Sequence, residues 1–77
     1  MAKKLDLDDL QGIICCMSRL HEIAEKVDPE REKLGLLKLD IINSQLHELF
    51  ISETHKYPPS SCISKDRLKE YLEENAN

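Results

Sequence analysis

The chain has no tryptophan, two glycines and three prolines in 77 residues, and aromatic residues make up 4% of it. So little β-forming aromatic content, and so few turn formers, favours helix over sheet. No apolar run approaches the ~20 residues of a membrane-spanning helix. Clustered positive charge is missing as well. The longest basic run is Lys3-Lys4 in a chain of net charge −4. Proteins that hold duplexes carry a basic face or stripe, so direct nucleic-acid binding is not expected. An electrostatic membrane anchor is disfavoured for the same reason.

Leu5-Asp6-Leu7-Asp8-Asp9 follows the basic start. That is not the apolar stretch of a signal peptide. The cysteines number three. Cys15 and Cys16 are adjacent and fall within a helical pattern, unlike a secreted disulfide framework. A reducing cytoplasm is therefore expected, a host cytoplasm if the gene is viral. Gly12 and Gly35 are isolated, so no glycine-rich phosphate loop exists.

What is present is an amphipathic composition, 40% apolar and 34% charged. Leucine and isoleucine supply the core; lysine and glutamate supply the surface. The length allows one domain with a thin stability margin, of the kind that often needs a staple or a partner.

Two breaks, Asp28-Pro29 and Tyr57-Pro58-Pro59-Ser60-Ser61, divide the chain into three helical segments. The first is expected over about 8–27. Asp6 or Asp8 caps it, and Leu10, Ile13, Met17, Leu20, Ala24 and Val27 form its seam. Cys16 lies at the edge of that stripe and Cys15 on the far side. Asp28 as cap and Pro29 as first helical residue start a second helix over about 29–56. The short break favours an antiparallel hairpin over one kinked helix.

The second segment carries one stripe of Leu39, Ile42, Leu46, Leu49 and Phe50, and an offset one of Leu34, Leu37 and Ile41. Leu36 lies outside both. A single partner helix cannot cover so wide an apolar surface, so this helix is expected to be surrounded by the third segment or another chain. After the Pro-Pro turn at 57–61, a short helix is expected over about 64–74. Ser64 is its cap, and Ile63 and Leu68 occupy hydrophobic-staple positions. Leu68, Tyr71 and Leu72 form its apolar face. Glu73-Glu74-Asn75-Ala76-Asn77 is expected to fray.

Candidate chemistry is sparse. Adjacent cysteines on a helix diverge by about 100°, and His47 and His55 stand about two turns apart. Neither pair has zinc-site spacing. His21 and His47 each begin a His-Glu pair, but the position four residues on is Glu25 or Ile51 rather than histidine. Cys62, ahead of the third helix, with His55 as base, is the best catalytic pair and a poor one. Lys65, Arg67 and Lys69 alternate with acids, as on a solvated face.

The expected fold is all-α, an antiparallel helical hairpin plus a short third helix, dimerising into a helical bundle. The expected function is a small non-catalytic protein–protein interaction or regulatory role, of inhibitor or adaptor type. No catalytic residue, cofactor or metal is expected. The expected partner is another protein, with a homodimer favoured, through Leu36, Leu37, Ile41, Phe50, Ile51 and Tyr71. A nucleic-acid-binding regulator and a Cys/His metal or redox module are the alternatives.

Overall fold

The computed structural model describes residues 4–74. Among them are three helices, α1 (Leu7–Lys26), α2 (Lys33–Thr54) and α3 (Lys65–Glu74), and no strand. Lys3 and the last three residues of the acidic tail lie outside the described residues.

α1 starts at a capping box made by two aspartates. Asp9 N donates to Asp6 Oδ1 at 2.9 Å, and Asp6 N donates to Asp9 Oδ2 at 3.0 Å. Two of the helix's orphan donors are thereby satisfied. Asp8 and Asp9 in the first turn and Lys26 in the last suit the helix dipole.

The Asp28-Pro29 break is wider than the sequence pattern suggested. Asp28 Oδ1 accepts from Glu30 N at 3.0 Å, closing a turn rather than capping a helix. Glu32 N then donates to Asp28 O at 2.9 Å. α2 accordingly begins at Lys33, about one turn later than Pro29. Its N-cap residue Glu32 makes no side-chain cap bond, and no acid occupies its first turn. At the other end His55 adopts a left-handed φ of 60°, and its N–H donates to Ile51 O at 2.7 Å. A left-handed residue is a frequent helix stop, and histidine tolerates it better than most non-glycine residues. Ser64 Oγ accepts from Arg67 N at 3.3 Å, so Ser64 caps α3.

α1 is the central element, packing against both α2 and α3. The core is small and lies at one end of the hairpin. Leu10, Ile14, Phe50 and Leu68 are buried there. Leu5, Leu7, Ile13, Ile63, Tyr71 and Leu72 pack around them. The hydrophobic staple thus meets the core with both its residues, Ile63 and Leu68.

The third segment covers only the last turns of α2, around Phe50. It returns across α1, held to that helix by three ties. Cys15 and Cys62 form a disulfide. Gln11 Nε2 donates to Ile63 O at 2.9 Å. Lys65 Nζ pairs with Asp8 Oδ1 at 2.7 Å. Farther along, Tyr71 Oη donates to Tyr57 O at 2.7 Å. Lys56 Nζ also donates to Leu72 O. Cys16, expected at the edge of the apolar stripe, and Cys15, expected on the far and solvated side, therefore exchange places. Cys15 is half-buried in the disulfide and Cys16 is exposed. The far side of α1 looked solvated on a helical wheel, but residues 62–65 lie over it.

Candidate interaction surface

α2 meets α1 through Leu36, Leu39, Asn43, Leu46 and Phe50, which are buried or half-buried. Their spacing alternates three and four, the seam of a helix pair. Leu36 belongs to this seam, although it fell outside both stripes expected from the sequence. Ile42 and Leu49, expected in the core stripe, are exposed. Asn43 interrupts the apolar pattern and hides the register. Its Oδ1 is buried with no hydrogen-bond partner in the structure. A lone polar residue in such a seam costs stability and fixes register.

The face turned away from α1 is apolar and uncovered. Leu34 is 66% exposed, Leu37 53% and Ile41 52%. Ile42 and Leu49 complete the same face. On a helix with 100° per residue Leu34, Leu37 and Ile41 lie roughly opposite Asn43 and Phe50, and Ile42 and Leu49 lie on the flank, about 80–120° from them. So many exposed leucines and isoleucines on one face are unusual for a surface that meets only water, although exposed Gln45 lies among them. Lys38 and Glu48 are the charged residues within it.

The six residues expected at an interface separate into three groups. Leu37 and Ile41 are on the open face. Leu36 and Ile51 are half-buried. Phe50 has no exposed surface and belongs to the core, and half-buried Tyr71 packs beside it. Phe50, which the sequence placed both in the first stripe of α2 and at the interface, is closed to a partner. α3 and α1 close around the last turns of α2. Leu34, Ile42 and Leu49 are the open-face residues that the expected set omitted. Leu34 was legible in the offset stripe at 34, 37 and 41.

A groove of about 380 Å³ runs between α1, α2 and the Pro-Pro turn, lined by Ile14, Met17, His21, Asn43, His47 and Pro58 among others. The rings of His47 and Tyr57 lie 5.8 Å apart and tilted, holding the turn against α2. His21 Nε2 lies 3.0 Å from Glu25 Oε1, the i,i+4 pairing expected of that helix face. Among the described residues, no group of three or more His, Cys, Asp or Glu is arranged to hold a metal ion.

The catalytic pair considered from sequence is not assembled as a thiol and a base. Cys62 sulfur is bonded to Cys15, and His55 is the left-handed helix stop. Lys65 is engaged by Asp8. That hydrogen bond, then the Asp8 charge, with smaller contributions from Asp6 and Asp66, raises its pKa above 10.5. Among the described residues, no helix is long and apolar enough to cross a membrane. No protein family, no curated protein and no solved structure matches the chain.

Proposed function

We propose that this chain is a small non-catalytic interaction protein, of regulatory, inhibitor or adaptor type, that works through the open face of α2. One observation carries the reading. Leu34, Leu37, Ile41, Ile42 and Leu49 form one exposed apolar face on a helix whose opposite side already holds α1. Covering that face with another protein surface removes it from water at about 25 cal/mol per Å². Association of two copies into a homodimer fits a chain this small, since it enlarges a thin core.

Native mass by light scattering across a dilution series tests the reading. A concentration-dependent dimer that Leu37→Glu and Ile41→Glu convert to monomer supports it. A dimer unaffected by both substitutions sinks it.

A second reading, thiol-based redox regulation, is favoured by the Cys15–Cys62 disulfide with the exposed thiol of Cys16 next in the chain. The odd cysteine count pointed to a reducing cytoplasm. The disulfide pulls the other way, because such bonds persist in oxidising compartments and are transient in the cytosol. Thiol titration of protein isolated without reductant decides the point. One titratable thiol supports the disulfide reading, and three contradict it.

A further inference from the structure

α2 carries its charges in an unusual order. Lys33 and Lys38 stand in its first half, and Glu48 and Glu53 in its second. Lysine in the first turn and glutamate in the last oppose the helix's own dipole, whose amino end is positive and whose carboxyl end is negative. No acid in the first turn and no base in the last offsets this. Asp40 is the remaining charged residue of the helix. It falls outside the open face, about 130° from its centre.

The order has a centre. Positions 38 and 48 are equidistant from residue 43, as are 33 and 53, and 37 and 49. Two α2 helices laid antiparallel and crossing at the level of Asn43 therefore bring Lys38 of each copy level with Glu48 of the other. Leu37 comes level with Leu49, and Lys33 with Glu53, although these two charges lie on the flanks, about 90–110° from the centre of the face. Each amino end, with its lysines, then lies beside the glutamates and carboxyl end of the second copy. A parallel pair would set lysine beside lysine and glutamate beside glutamate, and would add the two dipoles unfavourably.

Resting on the interaction reading above, we infer that the occupant of the open α2 face is a second copy of this chain, packed antiparallel about a two-fold axis at the level of Asn43. Such an axis makes the contact isologous, with one patch serving both copies. The open face lies nearly opposite the α1 seam on α2. The four hairpin helices consequently line up as α1·α2·α2·α1, an open row rather than the closed four-helix bundle expected from the sequence. α3 packs on α1 and around Phe50 at the end of α2.

The test is a charge swap on the full chain, read as a dimer dissociation constant at low salt by light scattering over a dilution series. Lys38→Glu and Glu48→Lys, each alone, turn two symmetry-related attractions into repulsions. Each is expected to weaken the dimer by about tenfold. The double variant restores both contacts and is expected to recover the wild-type constant within about threefold. A wild-type dimer whose single variants bind as well as wild type, or whose double variant stays weak, overturns the antiparallel register and leaves self-association standing. A wild-type chain that remains monomeric throughout overturns the second copy as occupant.

Discussion

Cys15 and Cys62 stand 47 positions apart in the chain, and the disulfide between them holds their Cα atoms 4.6 Å apart. The bond fastens the segment after the Pro-Pro turn to the flank of α1. It closes a loop that contains all of α2. Most of the constraint on where α3 sits therefore passes through one covalent link and the ties beside it, Gln11 to Ile63 and Asp8 to Lys65.

Closing a loop of that length restricts the unfolded chain by about 4 kcal/mol on the chain-entropy account. This is of the order of the whole stability that a core this small supplies. Cys15→Ser with Cys62→Ser, or reduction of the wild type, is expected to lower the urea midpoint accordingly. Coincident unfolding curves with and without reductant would contradict it.

Phe50 and Leu37 sit on opposite sides of α2 and should respond differently. Phe50→Ala removes a fully buried ring from the centre of the core and is expected to cost about 3–5 kcal/mol. Leu37→Ala, on the open face, is expected to change monomer stability by less than about 0.5 kcal/mol. Unfolding must be followed in dilute protein, below the association range, because self-association adds stability by mass action. Equal losses for the two variants would place the core elsewhere.

Gly12 lies inside α1, is exposed, and a Cβ there meets nothing within 4 Å. Gly12→Ala is expected to stabilise the chain by about 1 kcal/mol through helix propensity alone. Asp6→Ala breaks the capping box and is expected to destabilise it by about the same amount. Thermal melts of the two single variants and their combination check both. A destabilised Gly12→Ala variant would mean that a partner approaches the backbone there.

The Asp8–Lys65 pair is exposed on both sides, so its effect is screened. Its direction is nevertheless fixed. The folded chain holds the Lys65 pKa above 10.5, the ordinary value. The charged form is thus favoured by folding, and the stabilisation is fully present below 10.5. It is lost as pH rises through the higher folded value. Urea midpoints for wild type and Lys65→Met should differ at about pH 9 and converge in the alkaline range above the ordinary lysine pKa. A gap that widens there would contradict the assignment.

Much of the local structure was legible in the chain. The Asp6 cap, the Ser64 cap and the Ile63–Leu68 staple depend on residues within one turn of each other, and each forms as its sequence pattern implies. The seam of α2 was only half legible. Leu39, Leu46 and Phe50 were visible, but Asn43 sits in the same row, and a polar residue breaks an apolar count. Ile14 escaped for another reason. It lies off the α1 seam and is buried because α3 closes over it. The start of α2 was misplaced because Asp28 had two partners available, a helix end and its own turn, and the turn won.

The sequence by itself determined three helices, the caps of α1 and α3 and the two breaks between them, because those features are decided by neighbours within a few residues. It also determined that α2 has more apolar surface than one neighbour can cover. Only the tertiary structure decided which part of that surface stays open. Apolar residues surround α2 on nearly every side, so several packings bury similar amounts of it. The choice fell to contacts between residues far apart in the chain. Cys62 on Cys15, Lys65 on Asp8 and Leu68 on Leu10 and Ile14 draw α3 onto α1. The row from Leu34 to Leu49 is left facing outward.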